Sequence, residues 1–113
     1  FEAAAPGAAG LETILPAALR LWHGDVADLP TLFRALSLNP ARLLGLDGGR
    51  LAPGAPADLV LVDCDAPWLL DRFALRSKSK NTPFDRTRMT GRVLRTWVGG
   101  ETVYDRAAEG AAA

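Results

Sequence analysis

A chain of 113 residues with 49% hydrophobic and 23% charged residues has the make-up of one modest globular domain, not of a disordered segment. At that length the area available for a core is short. Thirteen basic residues balance thirteen acidic ones, which argues against a general nucleic-acid or membrane-surface partner. A single cysteine, Cys64, excludes an internal disulfide framework and points to a reducing compartment. No apolar run reaches the roughly 18 residues that a bilayer-spanning helix needs. The first residues hold no Met and no basic stretch before an apolar core, so they do not read as a signal peptide, and Phe1 reads as an internal position of something longer.

Leu11, Ile14, Leu15, Ala18, Leu19 and Trp22 recur at helical spacing and predict a one-faced helix. Pro16 fits if that helix starts at Leu11 or Glu12, because first-turn N–H groups have no intrahelical acceptor. Gly24 supplies its C-cap. Asp28 reads as the N-cap of a second helix, with Leu29, Leu32, Phe33 and Leu36 as its apolar stripe. Asn39-Pro40 predicts a third, short helix, cap then Pro at the first helical position, ending at Gly45.

The character then changes. "LDGGRLAPGAPAD" is rich in turn residues, and Leu59 to Val62 follows as an unbroken apolar run, which predicts a strand covered on both faces. From Trp68 to Lys80 the pattern is weaker, although Trp68, Leu70 and Phe73 alternate as in a strand. Val93 to Val98, Gly99-Gly100 and Glu101 to Tyr104 predict a hairpin, since Gly-Gly adopts the positive φ of a two-residue turn. The tail "AAEGAAA" has no reason to be ordered. Helices over 1–46, strands over 47–105 and a disordered 106–113 make an α+β chain or the junction of two domains.

The chemistry-bearing residues are sparse. His23 is the lone histidine and reads as a surface or capping residue beside a helix C-terminus. A hydrolytic zinc site takes several His or carboxylate ligands around an open position. Cys64 follows a strand with no histidine near it in sequence, so it reads as a structural thiol. Asp58, Asp63 and Asp65 read as strand-end and turn residues, not as a metal cluster. Gly48, Gly49 and Gly54 match neither phosphate-binding glycine pattern and precede a strand, so they are turn glycines. Eight basic residues (Arg72, Arg76, Lys78, Lys80, Arg86, Arg88, Arg92, Arg95) face one acid, Asp85, between positions 72 and 95. With no nucleic-acid-binding signature around them, they predict a solvated or partner-facing surface. Read this way, the chain carries no complete catalytic apparatus.

Four stretches together resemble the C-terminal part of dihydroorotases, in the cyclic amidohydrolase superfamily: "FEAAAPGAAGLETILP" (Phe1 to Pro16), "LSLNPARLLGL" (Leu36 to Leu46), "GRLAPGAPADLVLVD" (Gly49 to Asp63) and "SKSKNTPFDRTRMTGRVLRTWVGGETVYD" (Ser77 to Asp105). The third is shared widely among amidohydrolases; the first and last are more specific, since allantoinases and dihydropyrimidinases look more like a lysine-rich segment ending in Thr-Pro-Tyr. The resemblance implies the last helices of a (β/α)₈ TIM barrel (1–46) followed by part of a flanking small β-sandwich (47–105). It implies reversible closure of N-carbamoyl-L-aspartate to dihydroorotate, in cytoplasmic pyrimidine biosynthesis, with one or two zinc ions activating hydroxide. The family's metal ligands all fall before Phe1, so these 113 residues are expected to bind no zinc and to be inactive alone.

In the same resemblance the loop "AAAPGAAGLET" closes over substrate, and the backbone at Pro6 and Gly7 is the substrate contact. Pro6 departs from the family's usual aromatic and has no N–H to donate, which leaves the Gly7 amide, or the Pro6 carbonyl as acceptor. "SKSKNTPF" becomes an irregular crossover, turned by Thr82-Pro83 and anchored by Phe84. Partners implied are the small-molecule substrate and a homodimer or an aspartate carbamoyltransferase complex, with no nucleic acid and no membrane. The alternatives are a non-catalytic dihydroorotase-like subunit scaffolding aspartate carbamoyltransferase, or another cyclic amidohydrolase such as an allantoinase.

Overall fold

The computed structural model describes residue 4 and residues 7–112. A turn closed by the Gly10 carbonyl, which accepts from the Thr13 and Ile14 N–H groups, leads into helix α1, Ile14–His23. Pro16 lies in the first turn of α1, where its missing N–H costs nothing, and the helix closes with the Gly24 N–H donating to the Arg20 carbonyl and the Asp25 N–H to that of Trp22. Leu11 falls outside the helix and is 95% exposed, so the buried face is narrower than the periodicity predicts: Thr13, Pro16 and Leu19.

Helix α2, Leu29–Phe33, starts where Asp28 caps it, its carboxylate accepting from the Thr31 N–H at 2.8 Å. The expected fresh start at Asn39 does not occur. A π-helical turn, Arg34–Leu38, joins α2 to α3, Asn39–Leu43, with helical dihedrals at Leu38 and Asn39 and no side-chain cap. Pro40 has no N–H for an i→i−4 bond and its ring crowds that carbonyl. The widened turn, in which Asn39 N–H reaches the Arg34 carbonyl five residues back, lets the helix pass through it.

Strands β1 (Leu59–Leu69), β2 (Arg88–Val98) and β3 (Glu101–Asp105) form one antiparallel sheet in the order β1-β2-β3. The β2–β3 turn is the expected one, with Gly99 and Gly100 at φ 58° and 83°. Register shifts in β1 lie between Leu61 and Val62 and between Asp63 and Pro67. Beyond the first, the strand alternates cleanly, with Val62, Cys64, Ala66, Trp68 and Leu70 turned inward and the odd positions exposed. Within this chain the Leu59–Val62 run is not covered on both faces. Among the described residues β1 pairs only with β2, and Val60 and Leu61 stay about half exposed.

Trp68 does sit in the strand and Leu70 packs into the core, but Phe73 belongs to a short 3₁₀ turn, Arg72–Ala74, and is exposed. The tail expected to be disordered forms helix α4, Arg106–Ala112. One local and one distant feature give it a reason: the Asp105 carboxylate accepts from the Ala107 N–H at 3.0 Å, and Glu109 pairs with Arg76.

The core lies where α1 crosses β2. Leu19, Leu70 and Met89 are fully buried there. Gly91 makes the crossing possible: a Cβ on it would stand 2.3 Å from Leu19 Cδ1, and its φ is +110°. The Gly91 carbonyl accepts the indole N–H of Trp68 at 2.8 Å, which fixes a fourth large side chain around the contact. Away from this point much apolar surface is open. The chain exposes 8184 Å² at 12.0 kDa, against about 6,000 Å² for a compact monomer of that mass, and Leu43, Leu51 and Val26 are among the exposed side chains.

Candidate functional site

The two stretches that carry the more specific resemblance meet in space. The Asn81 side chain donates from Nδ2 to the Gly7 carbonyl at 2.7 Å, across 74 residues of sequence. The Asn81 carbonyl in turn accepts from the Ala9 N–H at 2.8 Å. A few residues on, the Glu12 carboxylate accepts from the Arg76 backbone N–H at 2.9 Å. The lead-in loop and the polar run are therefore clamped at both ends, and between them lies a cleft of about 460 Å³ whose walls include Gly7, Glu12, Leu75, Ser77 and Asn81.

The polar run is shaped by its own side chains. Lys80 folds back so that its ammonium donates to the Leu75 carbonyl and, at 2.7 Å, to that of Ser77. An ammonium that satisfies two carbonyls of an irregular segment does for that backbone what a strand neighbour would do elsewhere. Thr82 Oγ1 accepts from the Phe84 N–H at 3.2 Å, and the turn after Pro83 is closed by Thr87 N–H on the Phe84 carbonyl at 2.9 Å. Phe84 is half-buried, with the Arg20 guanidinium of α1 5.2 Å from its ring centroid.

Gly7 stands in the loop at φ +70°, with nothing within 4 Å of where a Cβ would be. Its conformation, more than the space around it, selects glycine. Pro6, the other expected substrate contact, lies outside the described residues.

The remaining candidates are dispersed. His23 sits in the last turn of α1 with Nε2 3.3 Å from Asp65 Oδ1. Asp63 accepts from the Asp65 N–H at 3.0 Å, and Asp58 holds the Gly99 N–H of the hairpin turn at 2.9 Å. Among the described residues no three of His, Cys, Asp and Glu come together, so their donor set does not fit a zinc ion. Burial and the neighbouring Asp65 and Asp63 charges push the Cys64 thiol above its ordinary pKa, which keeps it protonated and a poor nucleophile. The basic run stays largely at the surface, as expected, and several of its members find partners within the chain. Arg72 pairs with Asp85, Arg76 with Glu109 and Arg95 with Asp105, while Arg92 lies over the Trp68 ring.

Residues 9–104 match the amidohydrolase family. The chain belongs to that family. It is 44% identical over 106 residues to the dihydroorotase of Geotalea daltonii, a match covering 94% of this chain and 25% of that protein. It is 41% identical over 104 residues to the dihydroorotase of Ehrlichia canis, covering 92% and 23%. Among solved structures, the L-hydantoinase (dihydropyrimidinase) of Arthrobacter aurescens superposes with a TM-score of 0.84 at 35% identity, over 90% of this chain and 23% of that one. A D-hydantoinase superposes at 0.82 and 21% identity, over 92% and 23%, and speaks for the fold alone. The chain thus spans about a quarter of the length of the curated relatives it matches. It is a dihydroorotase-like amidohydrolase piece, an α+β unit with a three-stranded sheet.

Sequence reasoning found the loop and the polar run separately but not their union. Asn81 reads as one more polar residue in "SKSKNTPF". Nothing in a single sequence marks which backbone, 74 residues earlier, its amide will reach.

Proposed function

We propose that this chain is part of a dihydroorotase, which reversibly cyclises N-carbamoyl-L-aspartate to dihydroorotate in pyrimidine biosynthesis. The observation that carries the reading is identity above 40% to dihydroorotases along more than nine-tenths of the chain. In this reading residues 1–46 contribute the last helical part of a TIM barrel and the substrate-closing loop. Residues 47–105 contribute the sheet of the flanking β-domain, and Pro6 and Gly7 lie against the substrate. The assembly would be cytoplasmic, as a homodimer or in complex with aspartate carbamoyltransferase.

What these residues do is bind and shape. The loop supplies backbone hydrogen-bonding groups to a cyclic amide, with Gly7 permitting a turn at a φ that most side chains disfavour. The zinc of the family's reaction activates the attacking water, and the described residues of this chain bring together no donor set to hold it. A second reading, hydrolysis of a hydantoin or another cyclic ureide, draws on the 35% identity to the L-hydantoinase. Assay of the full-length protein with dihydroorotate and with hydantoin, side by side, separates the two. Turnover of dihydroorotate with hydantoin at least a hundredfold poorer supports the first; the reverse order overturns it.

A further inference from the structure

Asn81 takes two groups from the loop, the Gly7 carbonyl and the Ala9 N–H. Each belongs to a peptide plane that flanks Ala8. In a planar trans peptide the C=O and the N–H point in opposite directions, and no cis bond occurs among the described residues. With the Gly7 carbonyl drawn toward Asn81, the Ala8 N–H on the same plane is turned away from it. With the Ala9 N–H drawn toward Asn81, the Ala8 carbonyl on that second plane is turned away as well. Ala8 itself is exposed. One donor and one acceptor, on the same residue and facing the same way, form the complement of an N–H beside a C=O.

We infer that Asn81 is a positioning residue for substrate. By holding the two peptide planes around Ala8, it presents the Ala8 N–H and C=O as a paired donor and acceptor for the amide edge of a cyclic ureide or its ring-opened carbamoyl form. The inference rests on the dihydroorotase reading and deepens it. It adds the Ala8 backbone to the loop's contact with substrate, next to Gly7, whose carbonyl is occupied by the clamp. Gly7 then serves the turn, and Asn81 sets its orientation.

The side chain and the main chain of Asn81 separate in a variant series. Asn81→Ala removes the bond to the Gly7 carbonyl and leaves the main-chain bond to Ala9. Asn81→Asp also removes the donor and sets a carboxylate against that carbonyl, two acceptors facing each other. In the full-length enzyme, Asn81→Ala should raise KM for dihydroorotate roughly five- to tenfold, the worth of about one neutral hydrogen bond, with kcat and Tm close to wild type. Asn81→Asp should be worse than Asn81→Ala. Wild-type KM in Asn81→Ala, or Asn81→Asp no worse than Asn81→Ala, overturns the inference.

A wild-type enzyme inactive on dihydroorotate would sink the functional reading and leave the clamp to be judged by hydrogen exchange of the peptide spanning Gly7 to Thr13. Faster exchange there in Asn81→Ala, with the rest of the protein unchanged, supports the positioning role. Identical exchange overturns it.

Discussion

Substituting Gly91 by alanine should be the most damaging single-methyl change in the chain. The added Cβ would meet Leu19 Cδ1 at 2.3 Å and the Cys64 carbonyl at 3.4 Å, and the backbone sits at φ +110°, a region L-residues rarely adopt. The strained dihedral costs about 1–3 kcal/mol. Forcing a methyl into the packed crossing of α1 and β2 costs about 1–3 kcal/mol more. The expected loss is therefore about 2–6 kcal/mol, read as a fall in the urea midpoint at unchanged m-value in the full-length protein. The two contributions separate with Leu19→Ala, which alone should cost about 2–5 kcal/mol through the cavity it leaves. Because the new methyl occupies part of that cavity, the double variant should lose about 1–3 kcal/mol less than the sum of the singles. Additivity within about 0.5 kcal/mol would mean that the two side chains do not meet, and a loss below that figure in Gly91→Ala alone would refute the packing argument.

In the full-length enzyme, Gly7→Val should raise KM or lower kcat by roughly tenfold, since a β-branched residue resists positive φ. Gly7→Asn, which tolerates that region, should cost much less, and equal damage from both would place the effect in side-chain bulk. Asp105 has its pKa held below the ordinary carboxylate value, first by the hydrogen bond from Arg95, against the opposing pull of burial, and with help from the Ala107 N–H. Its contribution is thus complete above the unfolded pKa of about 4 and fades as pH falls through the lower folded value. Amide exchange in α4 should rise below about pH 4, and Asp105→Asn should flatten that dependence. The isolated 113 residues, with the exposed Leu11, Val60, Leu61 and Leu69, should bind a hydrophobic dye, aggregate and retain no zinc after chelator washing. A monomer with a cooperative melt and one tight zinc would contradict both expectations.

What was legible in the sequence was whatever local chemistry decides. Asp28 announces its cap, Gly24 its helix end, and Gly99-Gly100 its hairpin, because each acts within a few residues of itself. Where two local signals compete, the reading failed. Asn39-Pro40 carries every mark of a helix start, yet a widened turn absorbs the proline and the helix runs through. Leu11 continues the apolar spacing of α1 but lies before its first turn, with Gly10 setting the boundary. The tail lacks apolar periodicity, and its helix rests on an aspartate just ahead of it and an arginine on another segment. The site was half legible. The loop and the polar run each stand out by composition and by resemblance, but the Asn81 clamp is a tertiary pairing of one amide with one carbonyl, and no periodicity encodes it.

The central claim is that these residues serve a dihydroorotase, and the direct measurement is interconversion of dihydroorotate and N-carbamoyl-L-aspartate by the purified full-length protein, followed in both directions by the ultraviolet absorbance of the ring. The account predicts measurable rates both ways, with the ring-closing direction favoured by acid and the ring-opening direction by base, and hydantoin a far poorer substrate. No turnover of either compound by a folded, zinc-loaded protein that hydrolyses hydantoin would contradict it.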